Sequence, residues 1–486
     1  MKIRKIIATL AAALFCAGIL AACGNVAIKY TLTVNGGTGG GTFDAGAQVT
    51  VTATPRLGKE FVAWLEGDTQ VSTANPYTFA LTKNTTLTAK FQDGNFTKAG
   101  NLMDGVSPQT VNAIGLDADF INSTASLSVD LFQRAFADKE SMGKNVMVSP
   151  TSILLALAMT ANGANANTLA QMERVLGGGI SINQLNRYLY SFVKGLDSQE
   201  KSRLEIANSI WFREGVFNVN PDFLQVNADY YGADAYAAAF DNTTVEDINN
   251  WCDVNTDGMI KEILDDIPEE AIMYLINAVM FDAEWARIYE ENDVRSGQFN
   301  AFDGAVQTVE FMRSEESRFI QDVGAKGFIK PYYDNKYSFA ALLPDEDILI
   351  DDYVASLTGE RFANILSNKQ TASVLASMPK FEFDFSIGLN DILKSMGMPD
   401  AFDPFAADFS KTGTAWGNIF ISKVQHKTFI SVDERGTRAG AVTSVEDSTE
   451  SEPSYRHYIT LDRPFVFAII DNATNLPIFM GTVLSI

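Results

Sequence analysis

The sequence predicts an α+β fold built on a large sheet, preceded by a small and separate all-β module. Three observations lead there: short alternating runs before residue 92, helical periodicity that starts near residue 119, and strand-like apolar runs through most of the C-terminal half. The chain has 486 residues, 46% of them hydrophobic, enough for one large core and a smaller one. Its 60 acidic against 37 basic side chains give a net charge of -23, with no basic cluster after the first few residues. That balance excludes nucleic acid as a partner, because phosphate binding needs concentrated Lys and Arg.

The N-terminus places Lys2, Arg4 and Lys5 before the apolar run "IIATLAAALFCAGIL" and closes with "LAAC" at Cys23. The run is short for a membrane span and reads as a targeting segment. Its end resembles a bacterial lipobox. That likeness implies a signal peptide over 1–22, lipidation of Cys23, a tether over 23–29, and a protein exported and anchored by lipid at a bacterial cell surface. Cys16 would leave with the signal, so Cys252 would be the free thiol and no disulfide framework forms within one chain.

Residues 30–92 alternate apolar and polar side chains in "YTLTV", "QVTVTAT", "YTFAL" and "TLTAKF", with turn signals between them. The glycine run from Gly36 to Gly41 lacks a following Lys-Ser/Thr and reads as a hairpin turn rather than a phosphate cradle. "GAQVTVTATP", "FVAWLEGD" and "NTTLTAKF" resemble internalin-type B repeats, which implies a stalk or adhesive spacer without chemistry. A polar stretch over 93–118 reads as linker. Within 119–486, "FINSTASLSVDLFQRAFADK" spaces Leu127, Val129, Leu131, Phe132 and Phe136 as a helix, and "SILLALAMTANGANANTLAQMERVLGG" reads as helix, turn, helix. "EDINNWCDVNTDGMIKEIL" is helix-like, and "MYLINAVMF", "SFAALLP", "ASVLASMPKFEF", "FISVDE", "FVFAII" and "PIFMGTVL" are strand-like.

No enzyme is legible. Only His426 and His457 are available, and neither G-x-S-x-G nor H-E-x-x-H occurs. Acid pairs such as Asp265-Asp266, Glu269-Glu270 and Glu290-Glu291 read as solvated faces in so acidic a chain. Nothing clusters at metal-ligand spacing, so neither a metal nor a cofactor is called for. What stands out is "GTRAGAVTSVEDSTESEPS", Gly436 to Ser454: small residues, then Glu446, Asp447, Glu450 and Glu452, inserted between two apolar runs. By composition it is a solvated loop.

Several phrases, in order, resemble the serpin family: "NVMVSPTSILLALAMTANGANANTLAQMERVLG", "INNWCDVNTDGMIKEIL", "LINAVMFDAEW", "MPKF", "HKTFISVDERGT" and "RPFVFAIIDNATNLPIFMGTV". The resemblance implies the serpin fold over 119–486, a monomer, and a suicide inhibitor of serine proteases, with cysteine proteases as a second target class, rather than an enzyme. It makes the acidic stretch a reactive-centre loop, cleaved by a target protease and then inserted into the main sheet. Alternation along an inserted strand puts Thr437, Ala439, Ala441, Thr443 and Val445 inward and Arg438, Gly440, Val442, Ser444 and Glu446 outward. The inward set is small or β-compatible and uncharged, and no Pro lies between Gly436 and Glu452. Arg438 departs from the family's usual Glu, and Asp447 would be the next inward residue.

Counting from the hinge puts the scissile bond at Glu450-Ser451, whereas counting back from Pro464 gives Pro453-Ser454. A cut after Glu450 implies a Glu-accepting protease with a basic cleft, and one after Thr449 or Val445 an elastase-like target. By the same resemblance, Ser149, Ser152, Asn249 and His426 form a polar cluster beneath the sheet centre. Trp285 lies where the loop enters, and Glu434 with Lys380 forms an ion pair near the hinge. A non-inhibitory serpin-fold surface binding or adhesion protein is the alternative reading.

Overall fold

The structure is a computed structural model and describes residues 28–54, 59–67, 69–93, 99–196, 201–437 and 456–486. Cys23, the loop residues Ala439, Gly440, Ala441, Val442 and Thr443, and Glu450-Ser451 lie outside the described residues. The chain divides into two compact units, Met1–Phe96 and Thr97–Ile486.

In the first unit, strand Lys29–Asn35 pairs with Gly41–Asp44 on one side and Thr85–Asp93 on the other, and Lys59–Glu66 and Thr69–Ser72 complete five strands. A second sheet joins Gly37–Thr38, Gln48–Ala53 and Tyr77–Ala80. Strict alternation along Gln48–Ala53 buries Val49, Val51 and Ala53 around Trp64, Leu32 and Leu81. The glycine run turns as expected. Gly39 has φ +99°, and a Cβ there would lie 2.1 Å from the Thr50 carbonyl oxygen.

The second unit opens with helix Ala118–Phe136, capped by Asp117, whose carboxylate accepts from the Phe120 N–H. Leu127, Val129, Leu131 and Phe132 are buried as their spacing requires, while Phe136 at the helix end is half-buried. Helix Pro150–Ala161 is buried along its whole length and touches both of the unit's large sheets. An all-round apolar helix of this kind belongs in the middle of a core.

The functional sheet has seven strands. In chain order they are β1 (Gly100–Asn101), β2 (Ser202–Arg213), β3 (Asp234–Ala238), β4 (Met273–Glu284), β5 (Phe381–Gly388), β6 (Lys423–Val432) and β7 (Gly436–Thr437). Across the sheet the order is β5-β6-β7-β4-β2-β3-β1. The other sheet is built from nine strands around Phe465–Asp471 and Pro477–Val483, and ends on His457–Thr460.

Two elements differ from the sequence reading. The helix expected through Leu264 stops at Asn255, because Asp257 and Gly258 take φ of +48° and +78° and the Thr256 hydroxyl closes the turn. Residues read as linker pack on the second unit from Ala99 onward: β1 pairs with β3, Gln109 N–H donates to Asp229, and Ile114 N–H donates to Ser191.

Candidate functional site

The site is a slot in the seven-stranded sheet. Strands β4 and β6 run parallel and pair directly only over Tyr274–Asn277 with Lys423–His426. Above that they part, and at the top the two residues of β7 lie between them. Thr437 stands opposite Ala283 on one side and Val432 on the other, with Gly436 opposite Glu284. Two long strands that pair over four residues and part at the other end form a sheet already opened for another strand.

Gly436 is needed at this position. A Cβ on it would sit 1.9 Å from the Ala283 carbonyl oxygen, inside the backbone of the neighbouring strand. Thr437 is 3% exposed, and its hydroxyl meets the Tyr332 hydroxyl at 2.6 Å. The Asp433–Gly436 turn that feeds β7 is held by its own Asp433 carboxylate, which accepts from the Arg435 and Gly436 N–H groups.

Trp285 stands at the mouth of the slot. It stacks on Tyr332 at 4.5 Å, its indole N–H donates to the Asp433 carbonyl, and its backbone N–H donates to the Arg435 carbonyl. Lys380 forms an ion pair with Glu434 and a second one with Glu310 at 2.8 Å. Burial lowers the Lys380 ammonium, and bonds from Glu310 and Glu434 outweigh it, holding the group above its usual range. All three partners remain partly exposed, so the pairs orient the hinge more than they stabilise it.

Where β4 and β6 still touch, polar groups line the floor. His426 is 1% exposed and accepts the Ser149 N–H at Nε2, 3.0 Å away. Its proton therefore sits on Nδ1, which finds no acceptor among the described residues. Burial alone pushes this imidazole down to about 3, so it stays neutral. Ser149 also donates from Oγ to the Ile478 carbonyl.

Ser152 donates to Asn277, whose amide donates to the Ser152 carbonyl at 3.1 Å and to Asn208 at 2.6 Å. Asn277 stands directly opposite His426 across the β4–β6 pair. Asn249 does not join this group, contrary to expectation. It caps the segment after its helix, accepting from the Ile263 and Leu264 N–H groups and donating to the Leu264 carbonyl. Asn277 and Asn208 take the central places, and neither was singled out from sequence. The signal was a lone Asn inside the otherwise apolar "MYLINAVMF", since a buried amide in a central strand must find partners.

A family model described as Serpin (serine protease inhibitor) matches residues 122–486. The chain belongs to the serpin family. Serpins are protease inhibitors, not enzymes. A second family model, Divergent InlB B-repeat domain, matches residues 30–95. An uncharacterized serpin-like protein of Thermococcus kodakarensis is 30% identical over 382 residues, 76% of this chain and 87% of that protein. Human Serpin B4 is 29% identical over 72% of this chain and 95% of its own length.

Among solved structures, the thermophilic serpin tengpin in its native state is 52% identical with a TM-score of 0.77, covering 80% of this chain and all of tengpin. Tengpin in its latent state gives a TM-score of 0.69 over 77% of this serpin and all of that chain. This serpin therefore carries the family fold, with its hinge seated in the top of the slot.

Proposed function

We propose that this serpin is a cell-surface suicide inhibitor of serine proteases, held to the membrane through a lipid on Cys23. The observation that carries the reading is the register of β7. Continued antiparallel to β4 and β6, it brings Ala439 beside Phe281 and Ile430, and Ala441 beside Val279 and Thr428. Thr443 arrives between Asn277 and His426, and Val445 between Leu275 and Val424. Each inward loop residue from Thr437 to Val445 then faces a buried neighbour without itself carrying charge.

Two further details favour insertion. Thr443 reaches the place where His426 has an unsatisfied Nδ1–H, and its hydroxyl is an acceptor. Asp447, the one charged inward residue, arrives opposite Met273, the first residue of β4, at the end of the strand. Insertion from Thr437 to Asp447 would carry the opening on through the Tyr274–Asn277 and Lys423–His426 pairing, and a cut at Glu450-Ser451 frees that whole stretch.

The protease serine attacks the Glu450 carbonyl carbon and expels the Ser451 amine, leaving an ester between Glu450 and the enzyme. Hydrolysis of that ester would release an active protease. If the freed strand inserts first, it drags the acylated protease along the sheet and distorts its active site, and the complex persists. The inhibitor is consumed in one event.

The test is a denaturing gel after mixing with Glu-accepting and elastase-like serine proteases. Trapping gives a band at the summed mass, and mass spectrometry of the released peptide identifies the cleaved bond. Complete cleavage without that band would contradict inhibition and leave a surface binding protein on a serpin scaffold.

A further inference from the structure

Close to Trp285 at the mouth of the slot lies a second, more deeply buried ion pair. Glu316, on strand Val306–Asp322, and Lys330, on strand Ala325–Pro331, are joined at 3.0 Å with side-chain exposures of 6% and 3%. In every other ion pair among the described residues, at least one partner is 26% exposed or more. Burial lowers the Lys330 ammonium and Glu316 opposes that. A pair so buried is a poor device for stability, since apolar residues of the same shape commonly do as well or better. Its position suggests another use.

Both members reach the short segment Trp285–Tyr289 from below. Lys330 Nζ donates to the Arg287 carbonyl at 3.3 Å and lies 4.3 Å from the centre of the Tyr289 ring and 5.3 Å from that of Trp285. Glu316 accepts from the Ser314 hydroxyl at 2.7 Å, and Ser314 meets the Tyr289 hydroxyl at 3.2 Å. From above, the same segment holds three consecutive hinge carbonyls. Trp285 takes Asp433 and Arg435, and the Tyr289 N–H takes Glu434 at 2.8 Å. The turn that seats Gly436 and Thr437 is therefore clasped by a segment whose own position depends on the pair.

We propose that Glu316 and Lys330 are positioning residues: they hold the Trp285–Tyr289 clasp on the hinge, so that the first two residues of the loop are seated in the slot before any protease arrives. Insertion after cleavage then extends an existing strand and does not have to start one. Starting is the slow step in forming ordered backbone, because several dihedrals are fixed before contacts compensate. The consequence for inhibition rests on the suicide mechanism above, whereas the positioning itself does not.

The double variant E316Q/K330M keeps the shape and removes both charges, and Y289F cuts the Ser314 link while leaving the pair in place. Hydrogen exchange on the intact, uncut protein reads the clasp without a protease. Both variants should exchange the amides of 433–437 faster than wild type, about tenfold in the double variant, with other segments of the sheet unchanged. Titration against a glutamate-specific serine protease reads the consequence: more inhibitor consumed per enzyme trapped, at least threefold in the double variant, at the same rate of loop cleavage.

Unchanged exchange at 433–437 in a folded variant overturns the positioning role. Faster exchange with unchanged stoichiometry overturns seeding as its purpose. A wild-type chain that is cut without trapping sinks the inhibitory reading instead, and exchange still decides the clasp.

Discussion

Gly436 and His426 show how single residues are constrained by a strand that has not fully arrived. At Gly436 the backbone of β4 occupies the space of a Cβ, so Gly436→Ala forces either the strand or the hinge to move. Misfits of this kind in packed interiors cost about 1–3 kcal/mol. Urea unfolding of the intact protein should show that loss, and a variant as stable as wild type would contradict the seated hinge. His426 is neutral because burial holds it at about 3, while in the unfolded chain it titrates near its ordinary value. The unfolded state therefore binds the extra proton between those values, and stability present above about pH 6.5 is lost as pH falls towards 3. At pH 5 the His426 contribution amounts to a loss of about 2 kcal/mol. His426→Gln keeps an acceptor for the Ser149 N–H and should lack that component when stability is compared at pH 7.5 and pH 5.

At the scale of elements, the slot makes alternate loop positions unequal. Thr443→Arg would place a cation between Asn277 and His426, both buried and neither of them an acid. An unpaired charge there costs several kcal/mol, of the order of 3 or more, and insertion should stall. Ser444→Arg, one residue on, projects to the other face between buried Ile276 and half-buried Gln425, along which its long stem can carry the charge towards water, and should be tolerated better. The measurement is the stoichiometry of inhibition: at least tenfold higher for Thr443→Arg and close to wild type for Ser444→Arg, with equal behaviour contradicting the register.

The same elements show what sequence could carry. Helix Pro150–Ala161 and β4 are legible because each is an apolar run, whereas of β6 only the end, Phe429–Val432 within "FISVDE", reads as strand. Strand β2 is not legible, since polar Glu205, Asn208 and Ser209 interrupt it, and those residues are accommodated by pairing with β4 and with Asn277. The helix before Leu264 was over-extended because its stop is a Thr256–Gly258 turn with no Pro and a single Gly. Of the site, Trp285, Lys380 and Glu434 came from family resemblance and lie together at the hinge. The pairing of Asn277 with Ser152 and Asn208 depends on two strands and a helix meeting, which no local pattern encodes.

For the whole molecule, the central claim is that the native sheet is incomplete and that its missing strand is carried in the chain. Two parallel strands that pair directly over four residues and are parted at one end by the two residues of β7 would gain a full ladder when the strand between them is completed. Because the intact loop is tethered at both ends, that gain is withheld until the chain is cut. The most direct measurement is thermal unfolding before and after limited cleavage of the loop, with both fragments retained. Completion of the sheet predicts a cleaved form that melts above the intact one, by about 5 °C or more for a gain of several kcal/mol, since each kcal/mol is worth about 1 °C in a unit of this size. A cleaved form that melts at or below the intact temperature, with the clipped segment still open to further proteolysis, would contradict it.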